Sequence, residues 1–541
     1  MQTKPAEVTQ RRAPYAFWIL GLLLVIYVAA CTGQRDNVDD ADAWEHLRVL
    51  HALTVNLWHP GNPTFASDLP SVRYSPYFVG LAVLCRKTGL TPYSALSMAA
   101  VINTALLVVA LWALLRAFDE RPSAAAILLV MVALWGAAPH YANSYALSDL
   151  PWHQVNPSAF SFALVLFNWS LLRYLGISAW TAAKYVPLLL LCAVLCTVSL
   201  LDHGMTGAFG AMGYFILALT GPKGRRQRMF LMAAIVTVIG GLLCLAWPWY
   251  SFISAVTTRQ DTAYWFNPFI SKLTFTIWCA PAVLCALFAL PLRDRPLVRT
   301  CLLGGAASLL IGLCAIPIHS PVFARFPIPG MIFLHAAIGV FANESGIFRP
   351  STWARRLREI AEPSWQAAYP ILQVVLAAMV LYFLAPQVAD IAMQPHLART
   401  YLTHALHLRD LQHHPRESYA EILQPVGPTD VVLSDVETSM AIPAFKGRVV
   451  AVSHYELFVR GQAARSEAVN QFFSSDATEA EREQTVRQYD VKWILLNRRL
   501  IGDNLFQSLV RDNAVVAKTD DLVLMNAQKW MASAPDSAVS K

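Results

Sequence analysis

Apolar runs of about 17 to 25 residues, each long enough to cross a hydrocarbon core of about 30 Å as a helix, recur along the chain as far as residue 386. They predict helices near 14–33, 92–116, 122–139, 157–176, 184–202, 204–220, 229–249, 271–291, 299–318, 326–342 and 368–386, eleven spans in all. The segment from Tyr74 to Leu90 is shorter, opens on Ser75-Pro76 and is interrupted by Arg86-Lys87, which predicts an interfacial or re-entrant helix. From about residue 387 the runs shorten. Strand-like pieces, Val431-Val432-Leu433, Val449-Val450-Ala451-Val452 and Trp493-Ile494-Leu495-Leu496, alternate there with helix-like stretches and predict a small α/β domain. Thr478, followed three residues later by Glu481, predicts a capping box, and the tail after Met531 reads as disordered.

The expected architecture is therefore mostly α, a polytopic helical bundle over 1–386 with a first outer loop at 34–91, followed by an α/β domain over 387–541. Composition agrees: 56% of the 541 residues are hydrophobic and only 14% are charged, with a mean hydropathy of +0.43, which excludes an ordinary soluble enzyme. The formal net charge of +7 is informative through its placement. With the N-terminus inside, the cytoplasmic segments collect eighteen Lys and Arg and the opposite loops only eight, as expected of a protein whose N-terminus faces the cytoplasm and whose terminal domain lies outside. The expected location is a bacterial inner (plasma) membrane. Val28-Ala29-Ala30-Cys31 is similar to a lipoprotein processing site, but the run is read as a retained span. None of the nine cysteines lies beyond residue 314, and their spacing gives neither a disulfide framework nor a zinc motif; Cys192 and Cys196 read as buried small hydrophobes.

Candidate chemistry gathers just after the first span, where Asp36, Asp39, Asp40, Asp42 and Glu45 put five carboxylates into ten residues. Capping a helix asks for one or two acids; the surplus points to a site, with Asp39, Asp40 and Asp42 as candidate bases. At helical spacing Asp42 and His46 share a face, and a divalent metal held by Asp40, Asp42 and His46 is conceivable although no metal motif is matched. Arg73 in the same loop, Asp149, the Asp202-His203 turn, Arg259 and Arg325 are further outer-face candidates. Arginine is suited to holding a phosphate through paired donors, and Arg325 leads this group. No P-loop, dinucleotide turn or nucleophile elbow is found, so cytosolic nucleotide chemistry has no visible site.

Asp42-Ala43-Trp44-Glu45-His46-Leu47-Arg48 resembles the Asp-x-aromatic-x-His-x-Arg stretch of archaeal-type oligosaccharyltransferases, and Asp39-Asp40 is similar to the paired acids of protein mannosyltransferases. Together with the span pattern, these stretches make the chain resemble the integral-membrane GT-C glycosyltransferases, which also include aminoarabinose transferases. The terminal domain departs from the oligosaccharyltransferases. It lacks their Trp-Trp-Asp-Tyr-Gly motif and has only Lys492-Trp493, which argues against protein N-glycosylation. The resemblance implies a polyprenyl-phosphate sugar donor, an extracytoplasmic glycan, lipid or protein acceptor, and inverting transfer. It further implies a loop-one acid as base and Arg325, with Arg259, His203, Arg73, His46 and Asp149 as other candidates, at the lipid phosphate. It leaves the cofactor open and implies no nucleic-acid partner. The alternatives are a transporter or flippase for a lipid-linked sugar, and a non-catalytic assembly protein of the same fold.

Overall fold

The computed structural model describes residues 6–32, 41–134, 147, 150–178, 182–258, 280–315, 317–318, 320–345, 374, 378, 415–453 and 456–533. In chain order the N-terminal helices are α1 (Ala6–Thr32), α2 (Ala41–Val55), α3 (Pro76–Thr88), α4 (Pro92–Ala117), α5 (Pro122–Leu134), α6 (Leu150–His153), α7 (Pro157–Ile177) and α8 (Ala182–Asp202). They are followed by α9 (Gly204–Thr220), α10 (Arg226–Leu245), α11 (Phe252–Thr257), α12 (Ala280–Leu287), α13 (Pro296–Ala315), α14 (Pro321–Ala324) and α15 (Pro327–Ser345). Proline opens α3, α4, α5, α7, α13 and α15, where its fixed φ suits the first turn and its missing N–H would have lacked a helical partner anyway.

The chain divides into two compact units. One comprises Met1–Gln34, Ser97–Trp247 and Arg259–Leu406; the other comprises Arg35–Leu96, Pro248–Thr258 and His407–Lys541. The loop after the first span, expected to go with the membrane helices, thus falls in the same unit as the C-terminal residues.

The first unit is an integral-membrane helical bundle. Five of its described helices, over Pro92–Ala117, Pro157–Ile177, Tyr185–Asp202, Lys223–Leu245 and Pro296–Ala315, are long and apolar enough to span a bilayer, and Pro14–Ala30, Pro122–Ala133 and Gly204–Thr220 are shorter apolar helices. Of the expected spans, 271–291 is described only from residue 280, and 368–386 only at residues 374 and 378. In a bilayer, helix association relies on close packing, because lipid tails are as apolar as leucine. Small residues provide that packing here. A β-carbon at Gly304 would fall 2.7 Å from the Phe333 ring and one at Gly330 would fall 2.5 Å from the Ser308 β-carbon, so α13 and α15 meet along a seam without side-chain bulk. The Phe333 ring also stacks on Trp169 at 4.9 Å, and the Trp169 indole donates to the Gly210 carbonyl at 2.9 Å. Cys192 and Cys196 are buried in the bundle core, as expected.

Arginines mark one end of the bundle. Arg225 and Arg228 donate to the Ser178 carbonyl at 3.1 and 3.3 Å, and Arg299 to that of Thr220 at 2.6 Å, each beside the carbonyl end of a helix where positive charge is favoured. Arg295 bridges Glu120 at 3.4 Å and Glu344 at 3.0 Å at the same end. The opposite end carries the α8–α9 turn and the start of α15: Phe326 lies edge-on to Phe209 of α9 at 6.3 Å.

In the second unit the C-terminal elements are α16 (Pro415–Ile422), β1 (Val431–Leu433), α17 (Thr438–Phe445), β2 (Arg448–Val449), α18 (Gln462–Phe472), α19 (Glu479–Gln488) and β3 (Val491–Asn497). The chain ends with α20 (Arg498–Ile501), α21 (Asp503–Leu509), β4 (Val515–Lys518), β5 (Leu522–Asn526) and α22 (Ala527–Ala532). The strands form one sheet in the order β2-β1-β3-β5-β4, with β2, β1 and β3 parallel and β5 antiparallel to both β3 and β4. Register pairs include Val432 with Val449 and Leu495 with Leu524.

Successive strand residues face opposite sides, so Trp493 and Leu495 join one core layer while Ile494 and Leu496 join the other. The second layer is closed by Phe472, Val486 and Trp530 of the terminal domain itself. The first contains Trp44 and Phe65 from the loop after α1. The same loop covers the β2 edge, where the Val449 N–H donates to the Thr64 carbonyl at 2.9 Å. Loop one is therefore a structural layer of the α/β unit.

Candidate functional site

Helix α2 places the loop-one chemistry. Trp44 packs against Phe445 and Tyr419 at 5.8 and 6.2 Å, and Val49, Ala52 and Leu53 are buried. The apolar positions recur at helical spacing, which fixes the rotation of α2. Asp42 stands in its first turn and is half-buried.

Behind Asp42 runs a chain of buried ions. Glu45 bridges Arg73 at 2.9 Å and lies 3.6 Å from Arg48. Arg48, fully buried, bonds to Glu456 of the terminal domain at 3.0 Å. Glu456 also accepts the Thr64 hydroxyl at 2.8 Å and the Ser71 hydroxyl at 3.4 Å. The Gln462 side chain bonds to both the N–H and the carbonyl of Glu456, at 2.8 and 2.7 Å. A charge taken out of water needs this density of partners, because desolvation costs several kcal/mol per ion. Arg73, whose side chain keeps 38% of its surface exposed, is held more firmly charged than an ordinary arginine, first by Glu45 and further by Asp42 and Glu456. The same packing disfavours the charged form of His51: burial, and then the charge of Arg448, lowers its pKa.

The sequence-predicted residues distribute as follows. Asp42, His46 and Arg73 are brought together around α2. His46 is 3% exposed and its ring packs on Phe78 of α3 at 5.2 Å. Its face shared with Asp42 is therefore a core face at position 46 and a half-buried one at position 42. Asp39, Asp40, Asp149 and Arg259 lie outside the described residues.

His203 and Arg325 belong to the membrane unit. His203 caps α9, its Nδ1 accepting from the Thr206 N–H at 3.3 Å and lying 2.7 Å from the Thr206 hydroxyl. Arg325 is half-buried just before α15, and its carbonyl accepts the Ile328 N–H at 3.0 Å. The contact between Phe209 and Phe326 puts both residues at the end of the bundle opposite the arginine-rich one. Among the described residues no group of three or more His, Cys, Asp and Glu is placed to hold a metal ion.

Sequence reading missed Glu456. The spacing of Glu45 and Arg48 signals an ion pair along a helix, but the partner that completes it lies 408 residues away, and no local pattern announces it.

The terminal domain has its own polar node at the pair singled out above. Lys492 and the Trp493 indole both bond to Asp430, each at 2.8 Å, and the Gly427 N–H adds a third bond at 2.8 Å. These two residues thus secure the β1–β3 edge.

No family model and no curated protein matches the chain by sequence. Solved structures do match by fold. Over 90% of this chain and 70% of the other, the crystal structure of the apo oligosaccharyltransferase from Archaeoglobus fulgidus superposes with a TM-score of 0.52 at 11% identity. The arabinofuranosyltransferase AftD from Mycobacteria superposes with a TM-score of 0.54 at 13% identity, over 94% of this chain and 40% of AftD. ArnT from Cupriavidus metallidurans in the apo state gives 0.49 at 14% identity, over 94% and 97%. At such identities the likeness is one of fold, and this chain has the fold of the integral-membrane GT-C glycosyltransferases.

Proposed function

We propose that the protein transfers a sugar from a polyprenyl-phosphate donor to an extracytoplasmic acceptor. The observation that carries the reading is the combination of a fold shared with an oligosaccharyltransferase and an arabinofuranosyltransferase with a loop-one acid, Asp42, at the start of a helix locked in place by buried ions. Rigid support is what a catalytic carboxylate needs, since a misplacement of about 1 Å costs on the order of a hundredfold in rate.

In this mechanism a carboxylate of the 39–42 segment, with Asp40 and Asp42 the leading candidates, takes the proton of an acceptor hydroxyl. The oxygen then attacks the anomeric carbon from the face opposite the phosphate. The bond from that carbon to the phosphate oxygen breaks with inversion, and its electron pair leaves with the lipid phosphate. Arg325, with Arg259 or His203, stabilises that departing charge. Arg73 is assigned to the donor phosphate through its exposed edge, and His46 to packing. A polyprenyl donor also accounts for the lack of a nucleotide-sugar motif. By the positive-inside rule, the arginine-rich end of the bundle is cytoplasmic, so the chemistry is on the outer face of the membrane.

The test is transfer by the purified full chain in nanodiscs, offered a set of polyprenyl-phosphate pentoses and hexoses. A positioned base contributes about 10²–10⁴-fold, so Asp40→Ala or Asp42→Ala is expected to reduce turnover by at least about a hundredfold without loss of membrane insertion. Full activity in both variants rejects the loop-one assignment.

A further inference from the structure

The arginines at the crowded end of the bundle are not equivalent. Arg225 and Arg228 are tied to the Ser178 carbonyl, Arg226 donates to the Gly221 carbonyl at 3.2 Å, and Arg295 bridges Glu120 and Glu344. Arg173, about one turn before the end of α7, has no such partner. It is 7% exposed, its guanidinium lies 4.8 Å from the centre of the Phe118 ring, and its buried Nε meets no acceptor among the described residues. Two charges act on it. One is Asp119, which forms no ion pair with it among the described residues, and the other is a second cation, Arg299 of α13. Arg299 donates from one terminal nitrogen to the Thr220 carbonyl, but its Nε is likewise buried without an acceptor.

A buried cation without a counter-ion is costly, and a second cation within electrostatic reach raises the cost. The face of the Phe118 ring offsets part of it, yet the N–H edges of both guanidinium groups stay unanswered. An anion with several oxygens answers two such edges together, because the planar fork of arginine matches phosphate geometry. The surroundings extend the site into the bundle. A narrow apolar crevice is lined by Leu114, Phe118, Leu217, Leu297, Thr300 and Cys301. It meets Arg173 through Phe118 and Arg299 through Thr300, whose hydroxyl bonds to that of Thr220 at 2.7 Å. We infer that Arg173 and Arg299 form a phosphate-binding site at the arginine-rich end of the bundle. The crevice favours a phosphate that carries an apolar chain, an anionic phospholipid, over the free anion. The site lies at the end opposite His203 and Arg325 and does not depend on the reaction proposed above.

Native mass spectrometry of the full chain in neutral detergent, titrated with phosphatidylglycerol, phosphatidylcholine or inorganic phosphate, tests the inference. The expected result is a one-lipid adduct with phosphatidylglycerol that phosphatidylcholine does not match. Arg173→Gln and Arg299→Gln are each expected to weaken that adduct by at least about tenfold, the scale of one charge-assisted bond. Arg228→Gln, at the same end but held by the Ser178 carbonyl, should weaken it less than either. Thermal unfolding without added lipid separates binding from folding: Arg173→Gln should unfold no earlier than the unaltered chain, because an unpaired buried charge has been removed. Equal binding of the two lipids, equal weakening in all three variants, or loss of binding only in step with lost thermal stability overturns the site. Saturation by inorganic phosphate that excludes the lipid keeps the phosphate site and assigns it to the free anion.

Discussion

The two units solve opposite packing problems. In the membrane bundle the described ion pairs, such as Arg295 with Glu120 and Glu344, sit at helix ends, and the interior is closed by small residues against aromatic rings, as at Gly304 and Phe333. In the second unit a fully buried Arg48, with Glu45 and Glu456, ties a loop helix to a domain encoded some 400 residues later. Lipid provides no hydrophobic drive between helices, so shape must hold the bundle together. The second unit has two apolar core layers on its sheet, and there the hydrophobic effect supplies the drive while the ions fix which surfaces meet. Added bulk should therefore break one unit, and lost charge the other.

The largest effect is expected from Glu456→Ala, which strands Arg48 without its partner and should cost about 3–5 kcal/mol. Thermal unfolding of the purified protein, with limited proteolysis to locate the loss, would show the second unit opening while the bundle stays intact. Arg48→Met combined with Glu456→Leu is expected to recover more than half of that loss. Failure to recover would mean that the ions contribute stability beyond filling space. Next in size, Gly304→Leu should destabilise the bundle by about 1–3 kcal/mol through overpacking against Phe333 and leave the proteolysis pattern of the second unit unchanged.

Thr478→Ala removes the cap of α19, where the Glu481 N–H donates to the Thr478 hydroxyl at 3.3 Å and Glu481 accepts the Thr478 N–H at 2.8 Å. A loss of about 1 kcal/mol is expected, again confined to the second unit.

The smallest effect is acid sensitivity of that unit. The folded-state pKa of His51 lies below its unfolded value of about 6.5, so the unfolded chain takes up the proton first. The contribution of His51 is complete above that value and declines as pH falls through the folded pKa. Asp430 adds a second decline at lower pH. Burial alone would raise its pKa, but the bonds from Lys492, Trp493 and the Gly427 N–H outweigh burial and lower it. Unfolding followed from pH 7 to pH 2 should show the second unit weakening before the bundle does.

Much of the fold was legible because its determinants are local. Apolar runs placed the spans, with α4 at Pro92–Ala117 against an expected 92–116 and α9 at Gly204–Thr220 against 204–220. The Thr478 capping box formed as its spacing predicted. The strands at 431–433 and 493–496 were visible as short Val, Ile and Leu runs, and both belong to the sheet. The grouping of loop one was not legible. Trp44 and Arg48 read as parts of a reactive stretch, yet Trp44 lies in the core with Tyr419 and Phe445, and Arg48 is spent on Glu456. Both contacts cross about 400 residues of sequence, and a pattern of nearest neighbours carries no trace of them. Part of the charge surplus in that stretch is structural, since Glu45 and Arg48 belong to the ion chain that builds the unit.

The central claim is that the chain moves a sugar off a polyprenyl phosphate. Its most direct test is a single-turnover reaction of the full chain in nanodiscs with a polyprenyl-phosphate sugar isotopically labelled at the anomeric carbon and an acceptor mixture, read by NMR. The account predicts a new glycosidic bond of inverted anomeric configuration and free polyprenyl phosphate, both lost in Asp42→Ala or in Asp40→Ala. Donor that is bound or carried across the membrane with its sugar bond intact would contradict it.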